Sequence, residues 1–125
     1  MTPQEFFKKD LFAEQTGVEL LEVREGYSKA RLVITENHLN AGHRTQGGAI
    51  FTLADLALAA AANSHGTLAF SLSSNITFLR ASGPGDLSAF YVSTKMFIEF
   101  FKKNILLMLI NFFYGIQYTH CITIY

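Results

Sequence analysis

The chain has 125 residues with 10 basic and 10 acidic side chains, so its formal net charge is zero. This length is enough for one domain with a hydrophobic core. The neutral charge argues against nucleic acid or an anionic membrane surface as the main partner. A hydrophobic content of 50% argues against a disordered chain. The single cysteine, Cys121, excludes an intrachain disulfide and a thiolate metal cluster.

The first residues predict a helix followed by a hairpin. Residues 1–12 contain no continuous apolar run, so we expect no secretory signal and a cytoplasmic location. Residues 3–12 predict one short amphipathic helix. From Gly17 onward apolar and charged residues alternate, and a turn at residues 25–27 separates two predicted strands. The apolar positions of the two strands are Val18, Leu20, Val23, Ala30, Leu32 and Ile34.

A long apolar helix is predicted over about residues 47–63. The polar residues 35–45 precede it as a loop, and its alanine and leucine content favours helix up to a stop at residues 63–66. Because it is apolar nearly all the way round, we expect it to be buried on most sides. Thr52 and Asp55 are its only polar interior residues.

The segment after this helix alternates again. Residues 67–80 predict one long strand with a bulge near Ser73, and residues 81–86 predict a turn before another strand begins near Leu87. Strands on both sides of one buried helix indicate an α+β domain, in which an antiparallel sheet curls around the helix.

Asp55 is the most informative residue because a carboxylate in the middle of an apolar helix is costly to bury unpaired. Two interpretations remain open. Asp55 is a partly exposed or hydrogen-bonded residue at an interface, or it is a carboxylate in an apolar cleft that acts as a base or nucleophile.

Gly47 and Gly48 form the second notable feature, since glycines at a helix start leave the first-turn N–H groups accessible. Such groups suit an anion or a polarised carbonyl, although glycines there also serve close packing. Gly47 and Asp55 lie about 12 Å apart along the helix at its usual rise, too far to act on one carbon. If both act on one substrate, a two-fold dimer with antiparallel helices must supply them.

The segments HLNAGHRTQGGAIFTLADLALAAAANSHG and SLSSNITFLRASGPGD resemble the hot-dog-fold acyl-CoA thioesterases. Within that superfamily the chain is most similar to the phenylacetate-degradation (PaaI-like) branch of the 4-hydroxybenzoyl-CoA thioesterases. The resemblance covers about residues 12–90. It implies a curved antiparallel sheet around a long central helix, and a homodimer or homotetramer with shared active sites.

The resemblance also implies roles for individual residues. Asp55 matches the catalytic carboxylate, which activates water or attacks the thioester itself. Gly47 matches the backbone N–H donor to the thioester oxygen, and Asn40 the loop residue that positions the water or carboxylate. Ser71 matches a supporting hydroxyl. Gln46 stands where many relatives have His, and it keeps a hydrogen-bond donor that cannot titrate.

The remaining candidates concern coenzyme A (CoA) and metal. Gly48, His43 and Arg80 are the candidate substrate- and CoA-binding residues, with Arg80 either near a CoA phosphate or an ordinary strand-end arginine. His38 and His43 flank Asn40, but their spacing in a loop without a nearby acidic or cysteine partner does not predict a metal site.

The C-terminal tail differs from residues 1–90, which we interpret as the hot-dog domain. Residues 87–125 carry four charged side chains, one glycine and 10 of the 17 aromatic residues. From about residue 91 the family pattern is lost. Residues 91–125 are divergent last strands, the product of a shifted reading frame, or, over residues 104–125, a poor membrane segment.

The sequence therefore predicts an acyl-CoA thioesterase that hydrolyses an aryl- or medium-chain acyl-CoA and needs no cofactor. The alternative is a non-catalytic hot-dog module that binds acyl-CoA or only oligomerises, including a defective, shortened relative. The replacement at Gln46 and the atypical tail motivate that alternative.

Overall fold

The computed structural model describes residues 2–66, 68–71, 74, 76, 78, 80–92, 108–114 and 116–124. Within these residues an antiparallel sheet carries one long helix on its face, preceded by two short helices. The elements are α1 (Pro3–Phe7), α2 (Leu11–Thr16), β1 (Val18–Arg24), β2 (Tyr27–Ile34), α3 (Gly47–Asn63), β3 (Gly85–Val92), β4 (Met108–Tyr114) and β5 (Ile116–Ile124). None of the helices in these ranges has the length and apolar character that crossing a membrane requires.

The N-terminal segment forms two helices, so the single helix predicted over residues 3–12 is wrong. Thr2 caps α1, with its hydroxyl accepting a hydrogen bond from the Glu5 N–H at 3.2 Å. Asp10 begins α2, and its carboxylate accepts from the Ala13 N–H at 3.1 Å. Short polar side chains at these positions satisfy the free N–H groups of a first turn. Two such caps within nine residues separate the helices, a signal that apolar periodicity alone does not contain.

The predicted hairpin is confirmed. β1 and β2 pair antiparallel, with Val18 opposite Leu32 and Arg24 opposite Tyr27, and the register shifts once between Leu20 and Glu22. Alternate side chains of β2 are buried, as the period of two predicts. These buried positions are Ser28, Ala30, Leu32 and Ile34.

The strand order of the sheet is β1-β2-β3-β5-β4, with each neighbouring pair antiparallel. β3 pairs with β2 along its length, from Gly85 opposite Ile34 to Val92 opposite Tyr27. β4 and β5 both come from the tail, while residues 93–107, which the tail interpretations also concern, lie outside the described residues.

The strand predicted over residues 67–80 is wrong at the described positions of that segment, which lie in no strand. The side chain of Asn63 donates to the Ala69 carbonyl at 3.0 Å and accepts from the Ala69 N–H at 2.9 Å. This carboxamide takes both main-chain groups that a sheet ladder would use at Ala69. The segment therefore starts against the C-terminal end of α3, and Ile76 packs on the core further along.

The core lies between α3 and the inner face of β2. Leu53 and Leu58 are fully buried there, and the hydroxyl of Ser28 donates a hydrogen bond to the Ala57 carbonyl within it. The prediction that α3 lies over residues 47–63 and is mostly buried is confirmed. One stripe of α3 is less covered in the single chain, at i+3 and i+4 spacing. It comprises Gly48, Phe51, Thr52, Asp55 and Ala59, of which Gly48 and Asp55 are exposed.

Candidate functional site

Asn40 closes the loop that precedes α3. Its side-chain oxygen accepts hydrogen bonds from the Gly42 N–H at 2.9 Å and the Arg44 N–H at 3.2 Å. Its own N–H donates to the Arg44 carbonyl at 2.7 Å. His43 takes a left-handed conformation inside this loop, with φ of 55°. The Asn40 side-chain oxygen is thus occupied by hydrogen bonds within the loop. The side-chain amide nitrogen is the part that can donate a hydrogen bond to a substrate or water.

Backbone hydrogen bonds fix this loop against the start of α3. The Gln46 N–H donates to the His38 carbonyl at 2.7 Å, and the Thr45 N–H donates to the Ser82 carbonyl at 2.9 Å. The second bond brings the segment that carries the exposed Arg80 to the same end of the helix. The structure therefore gathers the loop candidates around the N-terminus of α3, namely Asn40, His43, Gln46, Gly47 and Gly48, with Arg80 on the adjoining segment.

Gln46 is the N-cap of α3, a function that the sequence did not reveal. Its side-chain oxygen accepts hydrogen bonds from the Gly48 N–H and, at 3.3 Å, from the Ala49 N–H. Gln46 does not cap the Gly47 N–H. In the part of the chain that the structure describes, no acceptor lies within hydrogen-bonding distance of it. The Gly47 N–H is therefore available to a ligand, at the end of α3 where the helix dipole is positive.

Phe78 packs against Gly47. A Cβ added at Gly47 would lie 3.0 Å from the Cζ atom of Phe78, which is closer than ordinary van der Waals contact. The Phe78 side chain is nevertheless 53% exposed. The sequence predicts only a strand over residues 67–80, and no sequence signal places Phe78 beside the helix start.

Asp55 lies in the middle of the less covered stripe of α3. The residue is exposed to solvent in the single chain. Burial by the surrounding protein raises its pKa, and the negative charge of Asp10 raises it further. No described group donates a hydrogen bond to this carboxylate. The Asp55 carboxylate is therefore a stronger base than an ordinary aspartate. The sequence contains no signal for the influence of Asp10 on it.

The single chain does not bring Asp55 and Gly47 together. They are eight residues apart in one unbroken helix, so about 12 Å of helix separates them. Ser71 follows the segment bound by Asn63, toward the other end of α3, and its hydroxyl lies 2.8 Å from that of Ser74. The candidate oxyanion donor, Gly47, and the candidate base, Asp55, are therefore held on one helix at positions about 12 Å apart.

The side chain of His38 in this loop has structural contacts. The His38 ring lies 2.8 Å from the Thr16 carbonyl through Nε2 and 3.1 Å from the Thr35 hydroxyl through Nδ1. Both ring nitrogens are thus engaged in hydrogen bonds. Among the described residues, no three His, Cys, Asp or Glu side chains cluster in a way that could hold a metal ion.

Residues 45–97 match the family described as the thioesterase superfamily. Over 80 residues, 64% of this chain, the sequence is 44% identical to an Archaeoglobus fulgidus protein named as a candidate esterase, covering 52% of that protein. Over 80 residues it is 34% identical to the acyl-coenzyme A thioesterase PaaI of Escherichia coli, covering 57% of that protein. The matched region thus spans little more than half the length of either relative.

The fold has solved counterparts. The structure of the E. coli PaaI protein superposes with a TM-score of 0.69 at 23% identity, covering 96% of this chain and 86% of that chain. A Streptococcus pneumoniae thioesterase-type protein, solved with coenzyme A, superposes with a TM-score of 0.64 at 19% identity, covering 94% and 96%. Such likeness establishes the α+β hot-dog fold. In sequence, residues 45–97 are similar to the thioesterase superfamily and 80 residues are similar to PaaI, and in fold the chain is a hot-dog protein.

Proposed function

We propose that this chain is an acyl-CoA thioesterase, which hydrolyses the thioester of an aryl- or medium-chain acyl-CoA to the free acid and CoA. The observation that carries the proposal is the unpaired Gly47 N–H at the start of the same helix that holds Asp55. One group stabilises a developing negative charge, and the other promotes attack on the carbonyl carbon. Thioester hydrolysis needs both.

Gly47 supplies the oxyanion donor. As the thioester carbonyl is attacked, negative charge moves to its oxygen, and a fixed N–H at a helix start stabilises that charge without reorganising. Gln46 assists in two ways. Its oxygen caps the neighbouring N–H groups of Gly48 and Ala49, and its amide nitrogen is a second, uncharged donor beside Gly47.

Asp55 drives the attack on the thioester. A raised pKa makes its carboxylate a stronger base than an ordinary aspartate, which favours removal of a proton from the attacking water. Water adds to the carbonyl carbon, the carbon–sulfur bond breaks, and the proton passes to the departing thiolate. Attack by the carboxylate itself, followed by hydrolysis of the anhydride, gives the same products.

Two subunits complete each site in this proposal. About 12 Å of helix separates Gly47 from Asp55 within one chain, so the two residues of one chain cannot both act on one thioester carbon. The less covered stripe of α3, with Phe51 and Ala59 beside Asp55, offers an apolar contact for a second copy. In a two-fold dimer with antiparallel α3 helices, Gly47 of each chain approaches Asp55 of the other, twice.

The remaining candidates complete the assignment. The free amide nitrogen of Asn40 positions the water or the carboxylate, and the Ser71 hydroxyl supports the Asp55 side of the site. Gly48, His43 and Arg80 lie at or beside the N-terminus of α3, where the CoA part of the substrate would enter. The Thr45–Ser82 hydrogen bond supports placing Arg80 there, and a guanidinium suits a CoA phosphate.

The test is hydrolysis of a panel of aryl- and medium-chain acyl-CoAs by the wild type and by Asp55→Ala. The wild type is expected to release free thiol from at least one substrate. Asp55→Ala is expected to lose roughly 10²–10⁴-fold of that rate, the usual contribution of a positioned base. Equal turnover by the two proteins would remove Asp55 from the mechanism.

A second candidate function is a module that binds acyl-CoA without hydrolysing it. The observation that favours it is the Gln46 cap, which already occupies two of the first-turn N–H groups of α3. CoA binding by calorimetry, together with no hydrolysis across the panel, would support this alternative.

A further inference from the structure

We infer that Phe78 is a specificity residue, whose ring limits the bulk of the acyl group next to the thioester carbonyl. This inference rests on the proposed function, because it places the carbonyl at Gly47. It concerns unbranched and α-branched acyl groups, which differ at the carbon attached to the carbonyl.

The first argument is the closeness of the ring to the donor. The outer edge of the Phe78 ring faces Gly47, with Cζ, Cε2 and Cε1 at 3.0, 3.4 and 3.7 Å from an added Cβ. Summing the bonds from N to Cα to Cβ places this edge within about 6 Å of the Gly47 nitrogen. A carbonyl oxygen bound at about 2.9 Å places the acyl carbons at similar range. The ring edge and the acyl α-carbon would therefore both lie within about 6 Å of the Gly47 nitrogen.

The second argument is direction. In an α-helix the Cα–Cβ bonds tilt toward the N-terminus, and the N–H groups of the first turn point that way too. The Phe78 ring meets Gly47 on its Cβ side, so it lies at the same end of the helix as the free N–H. A substrate carbonyl bound to this N–H would therefore lie at the same end of the helix as the ring.

The third argument is exposure. Phe78 is 53% exposed in the single chain, although it contacts Gly47. Since its outer edge is against the helix, much of the remaining ring surface is open to an apolar ligand. An unbranched acyl chain fits against such a surface, whereas an extra methyl group on the α-carbon competes with the ring for space.

The experiment compares hydrolysis of octanoyl-CoA and 2-methylheptanoyl-CoA, two medium-chain isomers that differ in the position of one methyl group. The wild type is expected to favour octanoyl-CoA, and Phe78→Ala to reduce that preference in kcat/KM by about 10-fold or more, within the usual range for one methyl group. Phe70→Ala is the matched control. It removes an exposed ring from the same segment, next to the Ala69 contact with the far end of α3, and should leave the preference unchanged.

Two further measurements separate the possible failures. A wild type that hydrolyses no member of the aryl- and medium-chain acyl-CoA panel overturns the proposed function together with this inference, whereas one that hydrolyses aryl-CoAs but neither of these isomers overturns this inference alone. Hydrolysis with an unchanged preference in Phe78→Ala overturns the specificity function alone. The contact itself is tested by thermal unfolding. Because the added Cβ would lie 3.0 Å from the ring, the effect of Gly47→Ala on Tm should be more favourable in the Phe78→Ala background than in the wild type. An equal effect of Gly47→Ala in the two backgrounds would contradict the contact.

Discussion

Burial raises the pKa of Asp55, and the carboxylate of Asp10 at the start of α2 raises it further. The Asp10 side chain is held in place because it also caps α2 through the Ala13 N–H at 3.1 Å. One residue thus links the start of a short surface helix to the basicity of the carboxylate in the central helix. The N-terminal helices therefore influence the chemistry proposed for α3 as well as covering it.

Replacing Asp10 by Asn should shift the acid limb of the pH–rate profile to lower pH. Asn still caps the helix but carries no negative charge. The pKa of Asp55 therefore falls part of the way toward its ordinary value, and it stays raised to the extent that burial raises it. A base must be deprotonated to act, so activity then persists to lower pH. The measurement is kcat/KM against pH.

Glu14→Gln is the control for this change, because it removes a negative charge from the same helix α2 without a contribution to the pKa of Asp55. Its acid limb should coincide with that of the wild type. An equal shift in Asp10→Asn and Glu14→Gln would indicate a general charge effect instead.

Asp55→Asn should stabilise the folded chain at neutral pH although it removes activity. A carboxyl whose folded pKa is raised above its unfolded value costs stability whenever it is ionised in the fold, and this cost disappears below the unfolded pKa. Asn carries no such cost. The Tm advantage of Asp55→Asn over the wild type should therefore be greatest at neutral pH and vanish as the pH falls below about 4. An advantage that is independent of pH would show that charge is not its cause.

Gln46→Ala should destabilise α3 by about 1 kcal/mol, since it removes the acceptor of the Gly48 and Ala49 N–H groups. Gln46→Asp supplies another side-chain acceptor at the N-cap and should retain most of the stability. It also places a negative charge beside Gly47, which opposes a developing oxyanion, so its hydrolysis rate should fall more than that of Gln46→Ala. Urea unfolding should show Gln46→Asp to be the more stable of the two variants, and kcat should show it to be the slower.

Mixing two inactive variants tests the shared site. Gly47→Pro removes the donor N–H at a first-turn position where proline suits the helical backbone, and Asp55→Ala removes the base. Both variants carry Phe78→Ala as well, because the Cβ of proline would otherwise lie 3.0 Å from the Phe78 ring. In a mixed dimer one site has both groups intact and the other has neither. Refolding the variants together in equal amounts should therefore restore about a quarter of the wild-type sites, since half of randomly paired dimers are mixed. Activity that stays at the level of the separate variants would exclude sharing between subunits.

The sequence predicts most of the elements that position the site because their signals are local. The period of two defines β2, and alanine, leucine and the Gln46-Gly47-Gly48 start define α3 to its observed bounds. The break between α1 and α2 was missed because it depends on the side chain of Asp10. The segment after α3 was misread because the Asn63 carboxamide takes the main-chain groups of Ala69, a competition that alternation cannot reveal.

Two of the candidate residues follow from the sequence pattern by itself, and the others follow from the family resemblance. A carboxylate in an apolar helix and a glycine pair at its start are unusual enough to identify Asp55 and Gly47, and the rise per residue determines their separation. Which groups are free, blocked or perturbed is decided only by the tertiary structure. Gln46 caps α3 from the N-terminal end of the helix itself. The Phe78 ring and the Asp10 charge act on α3 from two other segments of the chain. Hydrogen bonding, steric contact and electrostatic influence depend on distance in space, and sequence patterns contain distance only along the chain.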